Sequence, residues 1–519
     1  MTVPAYDKNS VIDFPTYGYP PLPFDVEDLD RYCPGGLHPI LLGDVLGDRY
    51  EVMRKLGHGG YATVWLCYDL TENTWRAVKV VSACASDERS SSELKMLKHV
   101  EDISDEELER HHICLSRDNF FVDGPNGRHL CIVMPIFGRT LHDEMQWYDK
   151  EFDDDRYACL QLAKAMAFLH SKGVCHGDFR PRNVLYALQG LDDLSVDQMM
   201  EMLGETIERI VVPPPPTGNG AGPGPHLPEY IYPCFVLEPP TEMCTRRIVV
   251  TDFGEAYHIS DAPRTTGIPL SHASPEVMLP NEPLGYGADI WALASIVCEL
   301  RMGRTLLPEY GTYDYVQMLE VMLGPLPEPH RSGFIAEFKK GWKQAGPSPG
   351  SDVPLGDPVT LKTESLERYR QETHDEGYET KLEKLIREDH GYGTGMEPGE
   401  VLGPNERDDG GGCKWVTRII PTQEADQLVD LLTKMFTYDP AKRLPAAEVL
   451  THPWFQEITA TPDGDDIVMG ADVVLEEDGL APKQEGILGW FARVARSIFP
   501  RLYGGPMLLG GLCIHGHLT

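Results

Sequence analysis

The chain has 519 residues, with 81 acidic against 46 basic side chains and a formal net charge of −35, enough for one large two-lobed domain or two smaller ones. The negative surplus opposes direct nucleic-acid binding, which needs positive surface, and favours basic partners. Twelve cysteines without a CxxC pair disfavour zinc or a disulfide framework and fit reduced thiols in an intracellular, non-secreted protein; no signal-peptide pattern opens the chain, and no run of about 18 apolar residues predicts a spanning helix.

Residues 1–49 form an N-terminal extension. Pro15, Pro20, Pro21 and Pro23 predict extended or irregular backbone, and the stretch from Tyr32-Cys33-Pro34-Gly35-Gly36 to Gly43-Asp44-Val45 reads as an ordered lead-in strand. Residues 50–82 alternate as strands do. Between two of them lies Leu56-Gly57-His58-Gly59-Gly60-Tyr61-Ala62-Thr63-Val64, where glycines would let backbone amides approach phosphates. A plain turn explains that stretch equally well when it is taken alone. The next strand carries Ala77-Val78-Lys79, and a helix then reads Glu93-Leu94-Lys95-Met96-Leu97, which places Glu93 to pair with Lys79. Residues 101–109 read as a solvated acidic face. Cys131 to Met134 reads as a buried strand, and Pro135-Ile136-Phe137-Gly138 as a hinge; Met134 suits either a pocket wall or the core.

An apolar helical run (Leu160, Leu162, Ala163, Met166, Phe168, Leu169) leads to His176-Gly177-Asp178-Phe179-Arg180-Pro181-Arg182-Asn183. This loop holds a carboxylate and, five residues on, a carboxamide. Phosphoryl transfer needs that pair: one group orients the attacking hydroxyl and the other holds a metal ion. Residues 187–246 interrupt the pattern with a short helix (Val196 to Leu203) and the Pro213–Pro216 tract, a composition that reads as a surface insert unable to build a core. A strand from Ile248 to Thr251 then ends in Asp252-Phe253-Gly254. Ser274-Pro275-Glu276 comes next, with Glu276 expected to pair with buried Arg443. Asp289-Ile290-Trp291 starts an apolar helix, with Asp289 expected to hold the catalytic-loop amides from below. Residues 313–323 read as a helix and 343–412 as a second surface insert with a charged helical stretch near 363–388. Helices resume at about 422–437 and 445–455. In the tail, 457–519, Ile487, Trp490, Phe491, Val494 and Ile498 recur at helical spacing among Arg493, Arg496 and Arg501. That pattern permits an interfacial membrane helix, but docking on the domain or on a partner is the favoured reading.

From about residue 50 to 456 these motifs, in this order, resemble the eukaryotic protein kinases. More narrowly the chain resembles the SR-protein-specific kinases, especially their shorter fungal relatives, through Tyr32-Cys33-Pro34-Gly35-Gly36, Arg54-Lys55-Leu56-Gly57-His58-Gly59, Thr63-Val64-Trp65-Leu66, the insert between Asn183 and Asp252, and Asp289-Ile290-Trp291. The resemblance implies an α+β, bilobal protein-kinase fold, with a small β-rich N-lobe at about 50–134 and a larger helical C-lobe at about 138–456. It implies ATP bound by Leu56, Gly57, His58, Gly59, Gly60, Val64, Ala77, Lys79, Met134 and Ile136, with Mg2+ on Asn183 and Asp252. It further implies Asp178 as the group that positions the substrate hydroxyl, Arg180 as stabiliser of the transferred group, and Lys79 held by Glu93. The expected activity is serine/threonine phosphorylation of basic, Arg/Ser-rich proteins in the cytoplasm or nucleus. Asp143, Glu144 and the Asp153-Asp154-Asp155 run would place acid near the peptide groove.

Several positions depart from the family pattern. Gly177 stands where an arginine is usual, Arg180 where a lysine is, Ala62 where the loop has a third glycine, His272-Ala273 in place of Tyr-Arg, and Pro269 in place of a threonine. Gly177, Arg180 and the altered 268–274 segment motivate a rival reading, a pseudokinase that binds partners without efficient transfer. An active kinase with non-SR substrates is a third.

Overall fold

The computed structural model describes residues 26–87, 91–146, 152–204, 208–213, 224–278, 283–307, 312–328, 330–333, 381–388, 390–395, 406–408 and 413–456. The tail helix and most of the charged stretch near 363–388 lie outside these residues.

The N-lobe is an antiparallel sheet of β1 (Val45–Leu46), β2 (Tyr50–His58), β3 (Ala62–Asp69), β4 (Thr74–Val81), β5 (Asn119–Gly124) and β6 (Gly127–Met134), in the spatial order β1-β2-β3-β4-β6-β5. Successive strand residues point to opposite faces, and here both faces are covered. Trp65, Cys67, Val78, Val80, Cys131 and Val133 pack on one side with Ile40, Leu46 and Tyr232. Leu66, Trp75 and Ala77 pack on the other with Ile136. Helix α1 (Ser92–His99) comes after β4, its N-terminus capped by the Ser91 hydroxyl, which accepts from Leu94 N. α2 (Asp105–Arg110) precedes β5.

The C-lobe begins after β7 (Phe137–Thr140) and α3 (Leu141–Gln146). It is built on α4 (Phe152–Ser171) and, further along the chain, a largely apolar helix over Tyr286–Met302 that is buried from Gly287 to its end, as a helix enclosed on every side is. Between them lie β8 (Val174–Cys175), β9 (Val184–Leu188), α5 (Val196–Leu203), β10 (Ile210–Val211), β11 (Tyr230–Ile231), β12 (Cys244–Val250), β13 (Tyr257–His258) and α6 (Pro275–Met278). The enclosed helix is α7. After it come α8 (Thr312–Leu323), α9 (Lys381–Arg387), a small sheet of β14 (His390–Gly395), β15 (Glu406–Asp408) and β16 (Cys413–Arg418), then α10 (Thr422–Met435), α11 (Ala446–Leu450) and α12 (Pro453–Gln456). The three-stranded sheet β12-β9-β7 positions the site. Val250 pairs with Val184, so Asn183, just before β9, and Asp252, just after β12, emerge side by side.

The inserts differ from the sequence expectation. The first does build core: Met199 and Leu203 of α5, with Leu191 and Leu237, are buried against Leu66, Trp75, Ala77 and Ile136. Val212, Leu227 and Ile231 pack with Leu29, Tyr32 and Leu37 of the N-terminal extension. From the second insert, Leu382 and Ile386 of α9 enter the C-lobe core. A few apolar residues at helical spacing suffice for this, whatever the proline and glycine content between them.

Candidate active site

The loop between β8 and β9 is fixed from beneath. Asp289, on α7, accepts from His176 N at 2.7 Å and from Gly177 N at 3.0 Å, and its Oδ2 lies 3.2 Å from His170 Nε2. Burial works against its ionised carboxylate, yet these partners, His170 foremost, hold its pKa below the ordinary value. His170, Cys175 and Asp289 are the one cluster of potential metal ligands among the described residues, but the hydrogen bonds to Asp289 make it an anchor for the loop. His176 Nε2 donates to Thr251 O at 3.0 Å, while its Nδ1 accepts from Asp178 N at 3.3 Å. These two bonds brace the loop from within, a feature that sequence reading missed and that no spacing signals.

Gly177 is demanded by its place. Its φ is +75°, in the left-handed region, and a Cβ there would stand 2.4 Å from Glu255 O. No other residue type fits without moving the segment beyond Asp252.

Asp178 is 8% exposed. Arg180 Nε lies 3.1 Å from both its oxygens and is hydrogen-bonded to Oδ2, and Asn183 Nδ2 donates to the same Oδ2 at 2.8 Å and to Asp178 O at 2.9 Å. Oδ1 is left without a hydrogen bond. Burial pushes the carboxyl above its ordinary pKa, with Arg180 and His176 opposing and Asp252 adding to the rise. Both donor bonds of the Asn183 amide go to Asp178, so its oxygen is the atom free to face a cation.

Lys79 Nζ bridges the lobes, 2.5 Å from Glu93 Oε1 and 2.7 Å from Asp252 Oδ1. Burial alone would lower the pKa of this ammonium, but the Asp252 and Glu93 carboxylates outweigh it and hold it above the ordinary range. Asp252 has φ +61°, a left-handed position that an aspartate tolerates and that recurs at functional turns. Desolvation opposes its charge, yet Lys79 pulls its pKa down to about 2. Its side chain is 45% exposed, open to the cleft.

Above this cluster Gly57, Gly59 and Gly60 have nothing within 4 Å of where a Cβ would sit. The protein's own packing does not require those glycines, so the space they leave fits phosphates. Leu56, Val64, Ala77, Met134 and Ile136 belong to a single apolar cluster, and His58 ends β2. Phe235, from the first insert, belongs to the same cluster, and its sequence surroundings give no sign of it. The glycine cradle, the amide oxygen of Asn183 and the exposed Asp252 carboxylate together suit Mg-ATP.

Two further contacts complete the frame. Glu276 and Arg443 pair bidentately at 2.5 and 2.8 Å. The acidic run expected at the groove is partly spent inside: Asp155 is buried and acts on the buried Arg301, and Asp143 Oδ2 accepts from Thr140 Oγ1 at 2.7 Å. The side chains of Asp153 and Asp154 lie outside the described residues.

The family described as "Protein kinase domain" matches residues 50–194 and 241–455, and the chain belongs to that family. The unmatched gap is the segment that carries α5. Among individual proteins, SRSF protein kinase 3 of Homo sapiens is 37% identical over 167 residues, covering 31% of this chain and 29% of that protein. The dual specificity protein kinase lkh1 of Schizosaccharomyces pombe is 24% identical over 463 residues, covering 88% of this chain and 53% of its own length. The dual specificity protein kinase CLK1 of Mus musculus is 25% identical over 422 residues, covering 80% and 67% respectively. The matched stretch thus spans less than a third of the human relative.

Proposed function

We propose that this chain is an Mg-ATP-dependent serine/threonine protein kinase that prefers serines flanked by arginine. The observation that carries the reading is the gathering of Lys79, Glu93 and Asp252 into one bonded chain beside an Asp178 whose Oδ1 has no hydrogen bond. In this reading Lys79, oriented by Glu93, meets the α- and β-phosphates, and the amides of the Gly57–Gly60 stretch approach them from above. Asn183 and Asp252 would hold magnesium, which when bound neutralises phosphate charge. Asp178 orients the substrate hydroxyl and takes its proton, and Arg180 stabilises charge on the transferred group. An arginine presents a wider fork than a lysine and remains charged at every working pH.

The pseudokinase reading rests on Gly177, Arg180 and the altered 268–274 segment. The positive φ and the close Glu255 carbonyl give Gly177 a steric reason that has nothing to do with decay, and Arg180 supplies a cation beside Asp178. For substrate, the support is the formal charge of −35 and the name of the human relative, an SRSF protein kinase. Residence in the cytoplasm or nucleus fits the ten free cysteines among the described residues. No helix among the described residues is long and apolar enough to cross a membrane.

The test measures magnesium-dependent kcat/KM on Arg/Ser-repeat, acidic and Ser-Pro peptides at low and high salt. Preference for the basic peptide, weakening as salt shortens the Debye length to about 8 Å at physiological strength, is expected. No transfer to any peptide returns the pseudokinase reading. Equal use of basic and acidic peptides, or no salt effect on the basic one, ends the electrostatic argument.

A further inference from the structure

Strand β2 does not run evenly into the glycine stretch. Its pairing with β3 slips twice, between Val52 and Arg54 and again between Lys55 and Gly57. Such a bulge bends a strand and re-aims the residues beyond it, and the residues beyond this one are Gly57 to Gly60. The two residues at these slips, Arg54 and Lys55, are both buried, breaking the in–out alternation of a strand, and both are charged.

Their partners come from outside the sheet. The Lys55 ammonium, with a side chain 0% exposed, pairs with Glu27 of the N-terminal extension and donates to Tyr232 O of the first insert at 3.1 Å. The hydroxyl of Tyr32 donates to Glu27 at 2.5 Å. The Lys55 carbonyl accepts from Phe235 N at 2.7 Å. Arg54 donates to Gly204 O, at the end of α5, at 3.1 Å. Two segments from outside the sheet therefore meet on one residue, two positions before the first glycine.

A buried ion pair adds little net stability over an apolar pair of similar volume, and its best-attested use is to fix register. We propose that Lys55, held by Glu27 and by the Tyr232–Phe235 segment, is a positioning residue for nucleotide: it locks the β2 bulge and so sets the height of the Gly57–Gly60 amides over the cleft. The inference rests on the reading of that stretch as a phosphate cradle. Asp178, Asn183 and Asp252 stand in the other lobe and do not touch the clamp, so its loss falls on ATP binding and leaves the transfer step alone.

The experiment compares the full-length wild type with a Glu27→Gln, Lys55→Met double variant, in which no buried charge is left unpaired. Steady-state kinetics with varied ATP and a fixed Arg/Ser peptide are read beside melting temperature and hydrogen exchange of the Gly57–Thr63 amides. The expected result is KM for ATP raised about tenfold, the size of about one lost hydrogen bond to a charged phosphate, with kcat at saturating ATP little changed, faster exchange at those amides, and near-wild-type melting. An unchanged KM for ATP in the folded variant overturns the proposal, because a purely structural pair would move melting alone. Should the double variant not fold, Glu27→Gln by itself carries the test, with a smaller shift of the same sign expected and an unchanged KM again fatal. A wild type that transfers no phosphate refutes the kinase reading itself, whereas an active wild type whose variant keeps its KM refutes only the clamp.

Discussion

Putting an arginine back at position 177 should damage the proposed kinase activity. The family pattern suggests the reverse, since arginine is the usual residue there and its absence motivates the pseudokinase reading. The structure supplies the magnitude. At φ +75° an L side chain carries about 1–2 kcal/mol of backbone strain. Its Cβ would stand 2.4 Å from Glu255 O and 3.4 Å from Thr266 Cγ2, and crowding of this kind adds ~1–3 kcal/mol. Relief requires either the Glu255 backbone or the loop to move by about 1 Å, a displacement that beside reacting atoms costs up to ~10²-fold in rate. Gly177→Ala isolates the Cβ and Gly177→Arg adds the family side chain. Both should lose kcat/KM on an Arg/Ser peptide by one to two orders of magnitude and melt at lower temperature. Gly177→Arg with activity equal to or above wild type would refute the steric argument and restore the view that position 177 is a degraded site.

Asp178→Asn should leave nucleotide affinity nearly intact while lowering kcat by about 10²–10⁴-fold, the span of lost proton acceptance; near-wild-type turnover would show that the base is misassigned. Asp252→Ala should remove the magnesium dependence of nucleotide binding, checked by titration with and without chelator. Asp178 titrates above its ordinary value because it is buried, and the ionised form is the one that accepts a proton, so kcat/KM should fall as pH drops through that raised pKa. Asp289 is held below its ordinary value, so its contribution to stability is present above the unfolded pKa and is lost as pH falls through the folded one. The pH–rate profile should therefore lose activity on the acid side before the protein unfolds, and an acid limb that tracks unfolding would contradict this order. Gly177 offers no side chain to grip a phosphate on Thr265, Thr266 or Ser271, so phosphatase-treated protein should stay active; abolished activity would identify a required phosphate.

The lobes are legible in the sequence because their cause is local. Alternation over residues 50–82 is a property of strands, and the apolar run from Ile290 to Leu300 is a property of an enclosed helix, so both can be read without knowing the partners. The site is legible as a set of residue types at set spacings. Its geometry is not. Nothing in His176-Gly177-Asp178 announces that Gly177 has a positive φ, since that depends on how closely the Glu255 backbone approaches. The direct pairing of Lys79 with Asp252 depends on how the two lobes meet, which no local pattern encodes.

Composition misleads where a few residues outweigh many. The prolines and glycines of the first insert argue against a core, yet Met199 and Leu203 lie four apart on one face of α5, and Ser195 and Gln198 cap that helix reciprocally. One turn's worth of apolar spacing, correctly capped, is enough to seat α5 in the core. Charge counting misleads for a related reason. A net charge is a sum over positions and does not say which carboxylates face water. Glu27, Glu93, Asp155, Asp289 and Glu424 are all buried, and each is engaged inside the fold with a cation, a backbone amide or a histidine. The field that a basic peptide would meet is set by the carboxylates left outside, so the salt dependence of peptide use measures something that −35 alone does not.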